Sequence, residues 1–285
     1  MKKVLVLGAT GMLGHSVTKL LSKESSFEII KSSRTKQPNY QKFDVETDSI
    51  SEFIDAVKPD WVVNCIGIIK PHIKEEAANS VFRAIQVNSI FPYLLSSTCN
   101  KPIIQIATDC TFSGEGGNYV ETDLHDATDV YGKTKSLGEI KSESMKHLRV
   151  SIIGPENGRS TSLLEWFRHQ SIGAEVRGFK DHLWNGITTY HFGKIAMGII
   201  QNDFTEFEKT HVVPANVVTK SDLLSIFGEA YNRSDIRVVE ANSSKTINRT
   251  LSTTNPKLNA RIWEMAGYQV IPTISEMVYE QALTV

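Results

Sequence analysis

The feature that most constrains this chain is a spaced glycine turn near its start. Val4, Leu5, Val6 and Leu7 form a short apolar run that reads as a buried strand, closed by Gly8. Gly8-Ala9-Thr10-Gly11-Met12-Leu13-Gly14 follows, and residues 15–23 then carry Val17, Leu20 and Leu21 at helical spacing. Glycines at these three places permit a tight turn, close approach of backbone to a bound group, and close helix–strand packing. A helix opened this way aims its first N–H groups and its positive dipole end at the turn, which suits a pyrophosphate. The chain holds 18 glycines, so the spacing alone is weak. Its position between strand and helix is what points to a dinucleotide.

The alternation then repeats. Strands are expected at 27–30, 42–45, 61–65, 102–107 and 149–153, with helices at 50–57, 79–99 and 129–146. Pro92 should kink or break the long helix, in which Val81, Phe82, Ile85, Ile90, Leu94 and Leu95 are the apolar positions. Strands separated by helices of this length mean βαβ units, hence an α/β fold with a doubly wound, Rossmann-type parallel sheet over residues 1–154. After Gly154 the rhythm changes. Helices are expected around 163–170, 189–201, 220–231, 256–266 and 274–283, with short strands near 211–213 and 237–240. Residues 155–188 and 215–285 read as a smaller mixed substrate domain, and elements near 189–214 as returning to the first domain.

Several classes are excluded by composition. With 31 basic and 32 acidic residues the formal charge is −1, and no basic cluster suggests nucleic acid. Cys65, Cys99 and Cys110 are too few and scattered for a disulfide framework or a zinc site, and the histidines show no metal-ligand spacing. No apolar run reaches the ~18 residues of a membrane span, and Met1-Lys2-Lys3 does not open a signal peptide, so a cytoplasmic protein is expected. Trp61, Trp166 and Trp263 read as core, and His15 as solvent-facing.

Where an NAD site places an acid after the second strand, this chain has Ser32-Ser33-Arg34-Thr35-Lys36. Arg34, with Lys36 near it and Ser33 before it, suits a 2′-phosphate, so NADP(H) is favoured, with NAD(H) the alternative. Asp44, followed by Val45, either meets the adenine or caps a turn. Tyr131 and Lys135 stand four apart and share a helix face. A nearby ammonium would lower the phenol's pKa toward neutrality and fit it for proton transfer. Tyr190 and Lys194 repeat the spacing. The first pair is preferred because it lies one loop after Thr108, which ends a predicted strand at the edge where doubly wound sheets bind ligands. Tyr190 reads as packing.

These residues resemble the extended short-chain dehydrogenases/reductases, and among them the dTDP-4-dehydrorhamnose reductases. The resemblance runs through the glycine turn, Val63-Asn64-Cys65, Val87-Asn88, Thr108-Asp109-x-x-Phe112-x-Gly114 and Glu121-Thr122-Asp123. It ends in Val130-Tyr131-Gly132-Lys133-Thr134-Lys135-x-x-Gly138-Glu139, and is specific over residues 1–154. It implies NADPH-dependent reduction of the 4-keto group of a nucleotide-linked 6-deoxyhexose, in dTDP-L-rhamnose or related cell-surface polysaccharide (O-antigen) sugar synthesis. Tyr131 would be the general acid, Lys135 would hold the nicotinamide ribose, and Thr108 would hydrogen-bond the carbonyl. Gly8, Thr10, Gly11, Met12, Leu13, Gly14, Cys65, Ile66 and Gly67 would line the dinucleotide, and Cys110, Arg159 and Trp184 the sugar nucleotide. Asn88 would order its helix or a relay water. The resemblance also implies a homodimer. The chain departs from the pattern at Cys110-Thr111, where members carry an aromatic residue, and in residues 66–72. Two other readings share these residues: a nucleotide-sugar epimerase that retains its cofactor, and a non-catalytic NADP-binding subunit similar to the methionine adenosyltransferase β-subunit.

Overall fold

The computed structural model describes residues 1–156, 158 and 161–285. In chain order the first half contains β1 (Lys2–Leu7), α1 (Met12–Leu21), β2 (Phe27–Ser33), β3 (Gln41–Lys42), α2 (Ile50–Val57) and β4 (Trp61–Asn64). Next come α3 (Ala78–Ile85), α4 (Phe91–Thr98), β5 (Ile103–Thr108), α5 (Val130–Leu137) and β6 (Met145–Val150). The second half contains β7 (Ile152–Ile153), α6 (Leu163–Arg168), β8 (Glu175–Phe179), β9 (His182–Trp184), β10 (Ile187–Thr188) and α7 (Thr189–Gln201). It closes with β11 (Lys209–His211), β12 (Val218–Thr219), α8 (Lys220–Ala230), β13 (Arg237–Ala241), β14 (Ile247–Asn248), α9 (Pro256–Met265) and α10 (Ile274–Ala282).

Seven strands form one parallel sheet in the order β11-β6-β5-β4-β1-β2-β3. β1 shows why it is covered on both faces. Val4 and Val6 enter one core with Val17 and Leu21 of α1 and Phe192 and Ile195 of α7. Leu5 and Leu7, on the alternate face, enter a second core with Ile50, Ile54, Phe91 and Leu95. α7 lies directly on α1: a Cβ at Gly193 would come within 2.6 Å of Leu20 Cδ1. β11 reaches the sheet from late in the chain and pairs with β6.

The long helix is continuous but not regular. α3 and α4 are joined by a π turn at Gln86–Ile90, and Pro92 sits in the first turn of α4. Proline has no N–H to give the carbonyl of Asn88, and its ring crowds that carbonyl, so the ladder loosens one turn earlier. Gly138 backs onto the same carbonyl; a Cβ there would lie 2.0 Å from Asn88 O. The apolar stripe is only partly core. Val87, Phe91 and Leu95 are buried, whereas Phe82, Ile90 and Leu94 are exposed.

The sequence reading and the structure part most clearly between α5 and β6. α5 stops at Leu137, and the chain is already a strand by Met145, four residues before the strand expected there. β6 has the polar sequence Met-Lys-His-Leu-Arg-Val yet is buried throughout, so its pattern hides a central strand. Trp166, expected in the core, is exposed; Trp61 and Trp263 are buried. Among the described residues no helix is long and apolar enough to cross a membrane.

Candidate active site

The glycine turn is built as its spacing requires. Gly8 has φ +72°, and a Cβ there would touch Ile66 Cγ1 at 3.0 Å. A Cβ at Gly14 would lie 2.2 Å from the Gly8 carbonyl oxygen, so α1 can seat against the turn only without a side chain. Gly11 is the N-cap of α1 and no side chain caps it, unlike α2, α5 and α8, whose Ser49, Asp129 and Thr219 do so. The first N–H groups of α1 are therefore left for a ligand anion. In front of them lies a cavity of about 600 Å³ lined by Gly8, Thr10, Gly11, Arg34, Asp44, Val45, Cys65, Ile66 and Gly67. Arg34 is exposed there and makes no hydrogen bond or ion pair with another described residue. This backbone cradle with its unpaired guanidinium fits a dinucleotide carrying a 2′-phosphate.

Ser33 is a correction. Its hydroxyl turns away and donates to the Thr35 carbonyl, while Ser32 lines the cavity and accepts the Gly8 N–H at 3.1 Å. Successive strand residues face opposite ways, so it is Ser32 and not Ser33 that lines the cavity. Asp44 caps a turn, accepting the Glu46 N–H at 3.1 Å, and also lines the cavity.

A second cavity, of about 400 Å³, shares Gly11, Cys65, Ile66 and Gly67 with the first and adds Met12 and Leu13. It runs on to Thr108, Cys110, Tyr131 and Lys135, and is walled further by Ser151 and Trp184. Thr108 ends β5; its Oγ1 accepts the Cys110 N–H at 3.2 Å and donates to Asp109 Oδ1 at 3.3 Å. Trp184 is fixed by donating Nε1–H to Ser151 Oγ at 2.8 Å. Arg159 lies outside the described residues.

The phenol behaves contrary to the spacing argument. Lys135 is buried and donates to the Ile106 carbonyl at 3.0 Å, and the groups that shift the phenol are others. Burial raises the Tyr131 pKa above the ordinary tyrosine value, the neighbouring Cys110 and Asp109 add to this, and the Thr108 side chain opposes it. Burial lowers Lys135 to about 8, with the Glu139 carboxylate opposing. At neutral pH the phenol is thus protonated and able to donate, and the amine is mostly charged. Burial likewise pushes the thiols of Cys65 and Cys110 up to about 12, so neither is a thiolate. Asn88 is fully engaged: Oδ1 accepts the Ile68 N–H at 2.8 Å, and Nδ2 donates to the Ile68 carbonyl at 2.9 Å and to Thr134 Oγ1 at 3.2 Å. It ties α5 to the loop after β4. The second Tyr–Lys pair is packing, with Lys194 Nζ 3.3 Å from Glu280 and 4.1 Å from the Tyr268 ring centre.

Behind α5 lies a charged network invisible to local spacing. Glu139, one turn after Lys135, receives Arg149 Nε at 3.0 Å and is also paired with its Nη2. Arg149 donates through Nη1 to His211 Nε2 at 2.7 Å and through Nη2 to His125 Nε2 at 2.6 Å. Both rings accept from a cation, which requires them neutral, and burial lowers the pKa of each, His211 to about 4. His211 Nδ1–H then donates to the Ser252 carbonyl at 2.7 Å. Glu121 joins in, accepting the His211 N–H at 2.9 Å and the Thr254 N–H at 2.9 Å. The helix bearing Tyr131 and Lys135 is thereby clamped to the sheet edge. Sequence reasoning also missed Ser32, Ser151 and Lys220 as cavity residues. Strand parity would have found Ser32; the other two needed the tertiary fold.

Residues 1–278 match the family described as the RmlD substrate binding domain. The chain belongs to this family. In the RmlD family's neighbourhood, a dTDP-4-dehydrorhamnose reductase of Aggregatibacter actinomycetemcomitans is 29% identical over 143 residues, 49% of this chain and 46% of that protein. Methionine adenosyltransferase 2 subunit beta of Danio rerio is 27% identical over 198 residues, 66% of this chain and 60% of that protein. The chain thus matches about half the length of these curated relatives. Among solved structures, a dTDP-4-dehydrorhamnose reductase of Bacillus anthracis in complex with NADP superimposes with TM-score 0.78 at 15% identity, covering 100% of this chain and 99% of that one. A UDP-glucuronic acid 4-epimerase of Bacillus cereus in complex with UDP-glucuronic acid and NAD gives 0.75 at 14% identity, covering 99% of both. At these identities the likeness is one of fold: the doubly wound parallel sheet of an RmlD-type α/β protein.

Proposed function

We propose that this member of the RmlD family reduces the 4-keto group of a nucleotide-linked 6-deoxyhexose, with NADPH in preference to NADH. The observation that carries the reading is the continuity of the two cavities, one against an uncapped glycine turn and the other against Thr108, Tyr131 and Lys135. The turn and the start of α1 hold the pyrophosphate, and Arg34 takes the 2′-phosphate. Bound NADPH supplies the hydride. Thr108 Oγ1 orients the sugar carbonyl, and the protonated Tyr131 phenol gives its proton to the carbonyl oxygen as charge develops there. The Lys135 ammonium, anchored on the Ile106 carbonyl at 3.0 Å, holds the nicotinamide ribose. Residues 1–154 with 189–214 serve the cofactor, and 155–188 with 215–285 complete the sugar-nucleotide side. The relatives named dTDP-4-dehydrorhamnose reductase favour a place in dTDP-L-rhamnose or related polysaccharide sugar synthesis.

The test is NADPH oxidation with dTDP-4-keto-6-deoxyhexoses. Tyr131→Phe should lower kcat by about 10²–10⁴-fold while leaving NADP⁺ binding unchanged. Absence of both turnover and cofactor binding in the unaltered protein overturns the reading. The epimerase alternative is favoured instead if dinucleotide co-purifies and product forms without net NADPH consumption. A Tyr131→Phe protein of full biological activity would favour a non-catalytic subunit, a role in which the catalytic hydroxyls and amine have no work.

A further inference from the structure

Lys220 is the first residue of α8, and it lines the second cavity together with Thr108, Asp109 and Tyr131. Its ammonium makes no hydrogen bond and no ion pair with another described residue. That placement is unfavourable in two ways. A half-buried cation loses part of its hydration, which no partner among the described residues replaces. A cation at the first residue of a helix also opposes the positive end of the helix dipole. Burial accordingly lowers the amine's pKa, while the nearby Asp109 acts in the opposite direction. Asp109 is a poor counter-ion, because it is itself buried, with its carboxyl pKa raised by desolvation.

Nothing in the construction of α8 needs the lysine. Thr219 and Asp222 close the helix start reciprocally: Thr219 Oγ1 accepts the Asp222 N–H at 3.0 Å, and Asp222 Oδ2 accepts the Thr219 N–H at 3.0 Å. An unpaired cation on the wall of an open cavity, costly to the free protein and idle in its scaffold, is paired when a ligand brings the anion. We propose that Lys220 Nζ is the anion anchor of the substrate cavity, binding an anionic oxygen of the sugar nucleotide. That oxygen belongs either to the diphosphate or to a carboxylate on the sugar, and the second case replaces the 6-deoxyhexose by a uronic acid. The assignment rests on the second cavity being a sugar-nucleotide site.

The experiment is calorimetric titration of the full chain, with and without NADP⁺, using UDP, dTDP, UDP-glucose and UDP-glucuronate. Lys220→Met should weaken binding by about ten- to a hundredfold, and Lys220→Arg should retain most of it. A loss seen already with UDP and dTDP assigns the diphosphate. A loss confined to UDP-glucuronate assigns the carboxylate. A second readout separates ligand anchoring from scaffolding: with no ligand, Lys220→Met should melt a few degrees higher, because it removes an uncompensated cation. Equal affinity of Lys220→Met and wild type for all four probes overturns the proposal, as does a lower melting temperature with weakened NADP⁺ binding. Wild-type protein that binds NADP⁺ but none of the four probes overturns the anchor and leaves the dinucleotide reading standing. Binding of the probes without NADP⁺ affinity does the reverse.

Discussion

The two cavities meet at Gly11 and at Cys65, Ile66 and Gly67, yet they are made of different material. The first is built around a glycine turn, an uncapped helix start and strand ends, all within the first 90 residues. The second also draws on segments far apart in the chain: β5, α5, β7, β9 and α8. A backbone cradle has its cause in a few consecutive residues. A side-chain cavity exists only once distant segments have docked.

The sharpest way to break this contrast is Gly14→Val. The new side chain would sit on the Gly8 carbonyl, with backbone on both sides and nothing flexible to yield. The expected outcome is loss of NADP⁺ binding and destabilisation of about 3 kcal/mol or more in urea titrations. A variant that melts and binds as wild type would show that the turn is not a rigid cradle. Next in size is Arg34→Ala. Since Arg34 is exposed and has no partner among the described residues, stability should not move, while the preference for NADPH over NADH should fall by about ten- to a hundredfold. An unchanged ratio of kcat/KM for the two cofactors would take the 2′-phosphate away from this residue.

The smallest effect probes the scaffold behind the second cavity. His211 is buried and neutral, its pKa lowered to about 4, whereas the unfolded chain takes up a proton near the ordinary histidine value of 6.5. Between those values the unfolded state binds more protons, so stability is complete above about pH 6.5 and falls with acid. His147, also lowered to about 4 by burial, works in the same direction. Each should remove about 1 kcal/mol per pH unit through this window, read as a falling melting temperature from pH 6.5 to 5.5. A flat profile would mean that Arg149 does not depend on neutral rings.

What was legible follows the same division. β1 and the glycine turn announce themselves because apolarity and spacing are local properties. Thr108, Tyr131 and Lys135 can be picked out by position, and they line one cavity. Their electrostatics cannot be read that way, since the group that engages Lys135 is the carbonyl of Ile106 on another element. β6 was misjudged because Lys146, His147 and Arg149 look like surface residues until partners such as Glu139 and His211 are placed beside them. β8 and β9 went unseen for a related reason: Glu-Val-Arg-Gly-Phe and His-Leu-Trp are strands because β13, β12 and β14 pair with them. Lys220 resembles any solvated lysine at the edge of a helix until the cavity in front of it is known.

The late arrival of β11 and α7 bears on how the molecule can be made. A nascent polypeptide that has emerged only as far as Gly154 carries the whole glycine turn, but β6 still has one bare edge and the outer face of α1 lacks its cover. Leu20 would lose the cover of α7, beside a strand edge open to foreign pairing. Synthesis must run past His211 before the nucleotide half is sealed, so a gene fragment ending near Gly154 should give aggregates rather than a miniature binding protein.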